Sequence, residues 1–174
     1  MTTMPGDDRR HPTSTIVVAV LGIAAVLVIA ALWQRQHPYS IETAADIDAS
    51  PTEVWAVLTD LESYPEWNPT LEGLEGELTV GGRLAYGDQT AVVTEIRENS
   101  SLRWETRTGV VGVLDGDRSF SLVELDDGST RFSQREDFRG IAVPFTGATL
   151  GEDTAPAFHE MNAALRERVE SLRQ

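Results

Sequence analysis

Apolar and polar positions divide this chain into two unequal parts. Residues 16–33, IVVAVLGIAAVLVIAALW, carry no charge, and at 1.5 Å rise per residue they would form a helix of about 27 Å, close to the hydrocarbon thickness of a bilayer. Trp33 closes the run, where an amphipathic ring sits among lipid headgroups. The pattern predicts a transmembrane anchor over 15–34, preceded by a polar tail, 1–14, that is cytoplasmic or disordered. A cleaved signal peptide competes, with Arg9 and Arg10 as its basic flank and Val28-Ile29-Ala30 as a cleavage site. The apolar run, however, exceeds the roughly 7–15 residues of a signal core. Arg9 and Arg10 before the run, against Arg35 after it, place the N-terminus inside and the remainder on the outer face of the cell membrane.

From Pro38 onward the pattern changes to short alternating stretches. Residues 40–49, with Ile41, Ala45 and Ile47 on one face, predict a first strand. Ser50-Pro51-Thr52-Glu53 then has the residues of a capping box with proline at the first helical position. Val54, Trp55, Val57, Leu58 and Leu61 continue at amphipathic-helix spacing. A second helical turn through Tyr64, Pro65 and Trp67 ends at Asn68-Pro69, because the residue before proline is pushed out of the helical region. Glycines 73, 76, 81, 82 and 87 punctuate the next stretch into a meander. Strands are predicted at 84–86, 90–97, 102–108, 118–125 and 130–138, with Glu98-Asn99-Ser100 and Asp126-Asp127-Gly128-Ser129 as hairpin turns. Asp115-Gly116-Asp117 reads as a further turn. Residues 140–151 read as an apolar, glycine-bounded loop, either a lip facing lipid, a flap over a cavity or a segment packed on the core. Residues 154–172 close the chain as an amphipathic helix bearing Phe158, Met161, Leu165, Val169 and Leu172. Such a stripe needs a cover, and a curved antiparallel sheet supplies it.

Charge narrows the partners. Residues 38–174 hold 26 acidic side chains against 11 arginines, a net charge of about −15. Nucleic acid is excluded as a partner, because its phosphates would be repelled. The chain has no cysteine, which removes disulfides, thiol nucleophiles and zinc-thiolate sites together.

Several strings together resemble a known family. They are Ile47-Asp48-Ala49-Ser50-Pro51-Thr52-Glu53-Val54-Trp55, Tyr64-Pro65-Glu66-Trp67-Asn68-Pro69, Val80-Gly81-Gly82-Arg83-Leu84, Phe120 with Leu122, and the closing Phe158-His159-Glu160-Met161 through Leu165. With them, 40–174 resembles the START-like or helix-grip superfamily, the SRPBCC type that includes polyketide cyclase/dehydrase and lipid transport domains. The resemblance implies an α+β fold: a curved antiparallel sheet of about seven strands wrapped on a long C-terminal helix, here over 38–174. It also implies an apolar cavity between sheet and helix for a lipid or polyketide-like ligand. No catalytic signature travels with that fold.

Strand alternation nominates the cavity residues. Phe132 and Phe138 share a face with Gln134 and Glu136. Phe120 and Leu122 share one with Arg118, and Leu102 and Trp104 share one with Thr106. An inward charge must be paired or hydrogen-bonded, and an Arg118–Glu136 pair would satisfy both. Trp55, Phe158, Met161 and Leu165 complete the set as cavity walls contributed by the helices, and for Trp55 plain core is the competing reading. Trp67 and Asn68 read as structural, and His159 stands one step off the apolar stripe. No nucleophile elbow, metal-ligand spacing, calcium loop or phosphate-cradling loop is present. The expectation is a membrane-anchored binder or carrier of a small hydrophobic ligand, without metal or cofactor. A cyclase/dehydratase-like enzyme is the first alternative and a module without a ligand the second.

Overall fold

The computed structural model describes residues 12–71, 73–87, 89–107 and 109–173. Helix α1 (Pro12–Gln36) contains the whole apolar run in one helical segment. Large apolar side chains along it, Ile16, Leu21, Val26 and Trp33 among them, are exposed. Among the described residues no helix is long and apolar enough to cross a membrane. The anchor over 15–34 therefore rests on the sequence, and residues 1–11 of the expected tail lie outside the described residues.

Strand β1 (Tyr39–Ile47) follows two residues after α1. Helix α2 (Pro51–Thr59) starts as its sequence directs: the Glu53 N–H donates to Ser50 Oγ at 3.4 Å, and the Ser50 N–H to the Glu53 carboxylate at 2.8 Å. Such a cap contributes about 1 kcal/mol. Val54, Trp55, Val57 and Leu58 form the buried face of α2. A 3₁₀ turn (Leu61–Ser63) and the short α3 (Tyr64–Trp67) come next. Tyr64 is fully buried, and its hydroxyl donates to the Leu58 carbonyl at 2.7 Å, tying α3 to α2.

Strands β2 (Glu75–Gly76), β3 (Arg83–Tyr86), β4 (Gln89–Arg97), β5 (Ser101–Arg107), β6 (Asp115–Glu124) and β7 (Thr130–Arg139) complete one antiparallel sheet. Its order is β1-β7-β6-β5-β4-β3-β2. A bulge between Val93 and Glu95 bends β4, giving the curvature that lets the sheet close around a helix. Helix α4 (Val143–Ser171) lies in that concavity. Trp104, Phe120, Phe132, Met161 and Leu165, all at most 1% exposed, form the centre of the sheet–helix core.

Two sequence expectations are corrected here. Asp115-Gly116-Asp117 is not a turn but the first three residues of β6. Asp117 faces outward, where Arg103 Nε reaches it at 2.6 Å and Arg139 at 3.2 Å, so charges of opposite sign across the sheet recruit residues of poor strand propensity. Residues 143–151 are not loop but the first turns of α4. Val143 and Gly147, one turn apart, are buried there. Glycines at 147 and 151 oppose helix on propensity, but the notch that those glycines leave is filled by Tyr39. A Cβ placed on Gly147 would stand 3.6 Å from the Tyr39 ring, and one on Gly151 would overlap its hydroxyl.

Candidate functional site

Cross-strand register arranges the inward side chains of β5, β6 and β7 in layers. Leu102, Phe120 and Gln134 form one, Trp104, Arg118 and Glu136 the next, and Thr106, Gly116 and Phe138 the third. The first two are bulky. The third has Thr106 and Gly116 at its middle, and there the sheet and α4 stand apart, leaving a cleft of about 330 Å³. Thr106, Gly116, Arg118, Glu136 and Phe138 line it from the sheet, with Tyr86 from β3. Leu150, Ala157 and Phe158 line it from α4, and Leu71 and Leu114 from adjoining loops. A Cβ on Gly116 would come 2.7 Å from the Glu136 carboxylate, so the absent side chain at 116 makes room for that group.

Arg118 is 7% exposed. Its guanidinium does not form the expected ion pair with Glu136, although the two are cross-strand partners. Instead one terminal nitrogen donates to Gln134 Oε1 at 2.8 Å and lies 3.4 Å from Met161 Sδ. The cation also lies over Phe158 at 4.5 Å from the ring centroid and near Phe120 at 5.3 Å. Aromatic faces thus take the place of a counter-ion. Gln134 is held in turn: its amide nitrogen donates to the Phe158 carbonyl at 2.9 Å and to Asn162 Oδ1 at 2.5 Å. Asn162 then donates to Thr43 Oγ at 3.0 Å. This buried chain links α4 to β7 and β1. Arg118 Nε is buried and has no protein partner.

Glu136 is half-buried, and its side chain lines the cleft. Burial pushes its carboxyl above the ordinary value, Arg118 draws it back down, and Asp117 adds to the rise. Tyr86 is shifted upward too, chiefly by burial, opposed by its hydroxyl's 2.8 Å hydrogen bond with Thr106 Oγ. Burial thus acts in the same direction on both cleft groups. Among the described residues no three His, Asp or Glu side chains converge as a metal would need.

Of the residues nominated from sequence, Thr106, Arg118, Glu136 and Phe158 meet at the cleft. Trp104, Phe120, Phe132, Met161 and Leu165 belong to the packed core, as does Trp55 on α2. Gln134, fully buried, lies beneath the cleft and holds Arg118. Tyr86 escaped nomination, although it shares an alternating face with the buried Leu84 in β3. Leu114 and Leu150 come from segments whose place against the sheet no periodicity could indicate. His159 is exposed.

A second hollow, about 380 Å³, lies on the other side of the same rim and is lined by Glu105, Arg107, Asp117 and Arg139 together with Val111 and Gly140. Its charged lining is engaged in ion pairs on the outer face of the sheet. The cleft between sheet and α4 is therefore the candidate site.

Known proteins share this architecture. A START superfamily protein from Mycobacterium smegmatis superposes with a TM-score of 0.60 at 21% identity, covering 76% of this chain and 98% of its own. A solution structure from Thermobifida fusca gives 0.65 at 17% identity, covering 77% and 95%. CalU16 from Micromonospora echinospora gives 0.58 at 20% identity, covering 77% and 82%. At these identities the likeness is one of fold. No curated protein matches the sequence. The family described as polyketide cyclase/dehydrase and lipid transport matches residues 38–170, and with the seven-stranded sheet closed on α4 this means that the chain belongs to that family and has a START-like fold.

Proposed function

We propose that this protein is a membrane-anchored binder of a small hydrophobic ligand, held in the cleft between the sheet and α4. The observation that carries the reading is a hollow of about 330 Å³ between sheet and α4, where Leu71, Leu114, Phe138, Leu150 and Phe158 supply apolar wall and Arg118, Glu136, Gln89 and Asp153 supply polar groups. Sites of this kind gain affinity from buried apolar area, at about 25 cal/mol per Å², while a few polar groups set orientation. A ligand oxygen beside the Arg118 side chain, which lines the hollow, would be oriented by its charge. The volume is near the lower end of small-molecule sites and suits one compact molecule. The anchor, α1 inserted with the domain on the outer face, keeps the cleft beside a reservoir of apolar compounds.

A cyclase- or dehydratase-like enzyme is the second reading, favoured by the burial-raised carboxyl of Glu136 across the strand from a guanidinium. Acid–base chemistry works best with titratable groups driven in opposite senses. Glu136 and Tyr86 are both driven toward protonation, which places binding ahead.

The test is extraction and mass spectrometry of whatever copurifies with the full chain from neutral detergent. A single class of small apolar compound is expected, lost from Ala157→Phe, which fills the cleft from α4, and retained by the exposed-site variant His159→Gln. A compound retained equally by Ala157→Phe, or none at all, removes the reading.

A further inference from the structure

One end of the domain carries an apolar surface that the cleft does not use. Val110 is 73% exposed, Val111 66%, Ile141 45% and Phe145 88%. Scattered exposed apolar side chains are ordinary; these are not scattered. The β5–β6 loop and the entry to α4 are joined by backbone hydrogen bonds from the Ile141 N–H to the Gly112 carbonyl at 3.1 Å and from the Ala142 N–H to the Val113 carbonyl at 3.0 Å. The chain is 24% charged, yet neither 108–114 nor 140–151 contains one charged residue. The acidic field of the domain is thus interrupted at this end. The opposite end, a ten-residue strand or about 30 Å away, is the turn bearing Asp126 and Asp127.

The chain leaves α1 at the uncharged end. Tyr39, the first residue of β1, pairs with Phe138 at the end of β7, and its ring lies against Gly147 and Gly151 of α4. Only His37 and Pro38 separate α1 from Tyr39, a reach of at most about 10 Å. Phe145 is two residues from Gly147. A bilayer holding α1 would therefore meet the end of the domain that presents Val110, Val111, Ile141 and Phe145.

We propose that this apolar lip docks into the surface of a neutral lipid bilayer. The inference rests on the reading of α1 as a membrane anchor. The strong net negative charge of the domain selects uncharged headgroups: Arg107 and Arg139, which border the two segments, are already paired with Glu105, Asp117 and Asp137, so anionic lipid would meet no unpaired cation there. Leu114 and Leu150, which wall the cleft, come from the two segments that form the lip. Docking sets the cleft mouth against the bilayer, so a ligand passes from lipid to protein without crossing water.

The chain has no cysteine, so each introduced thiol is labelled uniquely. Val26→Cys, Val111→Cys, Phe145→Cys and Asp126→Cys, each carrying an environment-sensitive fluorophore, are placed in the full chain and reconstituted into phosphatidylcholine vesicles containing a lipid-borne quencher, shallow for 111, 145 and 126 and at the acyl-chain end for 26. Labels at 111 and 145 are expected to lose most of their emission, and the label at 126 to keep it. Quenching at 26 with none at 111 and 145 beyond that at 126 overturns the docking and leaves the anchor standing. Quenching at 111 and 145 without quenching at 26 retains the docking and overturns the anchor. No quenching at any of the three removes both.

Discussion

Gln134→Leu probes the buried chain beneath the cleft. Gln134 is fully buried and makes three hydrogen bonds, accepting from Arg118 and donating to Asn162 and to the Phe158 carbonyl. Leucine keeps the volume and removes all three. The Phe158 carbonyl lies inside α4 and retains the ordinary helical acceptor role, so two losses dominate. The Arg118 guanidinium keeps only a sulfur contact and two ring faces, and Asn162 Oδ1 loses its donor. A lost hydrogen bond to a charged group costs about 1.5–3 kcal/mol and an unsatisfied buried amide oxygen about 1–3 kcal/mol, offset by about 1 kcal/mol of added apolar burial. The expected destabilisation is about 1.5–5 kcal/mol, a fall of about 1–3 M in urea midpoint for a slope of about 1.5–2 kcal/mol per M. The assay is urea unfolding of the full chain in nonionic detergent, followed by tryptophan emission. Arg118→Met/Gln134→Leu removes the stranded cation together with its acceptor, and replacing a buried polar pair by apolar groups of similar shape is far milder than breaking it. The double variant should therefore be more stable than Gln134→Leu alone by about 1 kcal/mol or more. Effects that add within about 0.5 kcal/mol would refute the claim that Gln134 acts by holding Arg118.

Glu136→Gln tests the raised carboxyl. With the folded value above the ordinary 4.5, the native state binds the proton more tightly, so the stabilising contribution is complete below that ordinary value and is lost as pH rises through the folded one. The glutamine variant escapes this loss, and its melting temperature should exceed wild type at about pH 7.5 and converge on it near pH 4; a variant less stable at the higher pH contradicts the assignment. In α4, Gly147→Ala meets only ordinary contact with Tyr39 and should stabilise by about 0.5–1 kcal/mol through helix propensity. Gly151→Ala collides with the Tyr39 hydroxyl and should lose that gain, while Gly151→Ala with Tyr39→Phe recovers it. Thermal unfolding of the three variants decides, and equal gains at 147 and 151 would show that Tyr39 does not occupy the notch.

Much of the architecture was legible because local signals agreed with the fold. The capping box at Ser50, the turn at Asp126-Asp127-Gly128 and the alternation in β4, β5 and β7 each placed an element within a residue or two. The failures have a common cause. At Asp115-Gly116-Asp117 and at 143–151, local propensity opposed the observed structure, and long-range partners decided it: Arg103 and Arg139 for Asp117, Tyr39 for Gly147 and Gly151. The partner of Arg118 was misjudged for a different reason. Alternation puts Arg118 and Glu136 on one face, but it does not say that Gln134, two residues along β7, is nearer the guanidinium's reach.

The position of the hollow follows the same logic. Trp104, Thr106, Phe120, Arg118, Gln134 and Glu136 all point inward, and from sequence they have equal standing as cavity walls. Their depth differs, because pairing sorts them into layers. Where Trp104 stands against Arg118, the space toward α4 is filled by Met161 and Phe158. One layer further, Thr106 stands against Gly116, and two small residues on adjacent strands leave a gap that a glutamate carboxyl and a tyrosine hydroxyl edge into without closing. Volume lost at one register position cannot be recovered by neighbours locked in a sheet, since strands hold a fixed spacing of about 4.8 Å and interiors otherwise pack to crystal-like density. A residue's period thus sets which face it occupies, while its cross-strand partner sets whether that face is solid or hollow. That second fact becomes available only when Asp115-Gly116-Asp117 is recognised as strand, and the misreading of that short segment hid where along the sheet–helix interface the expected cavity lies.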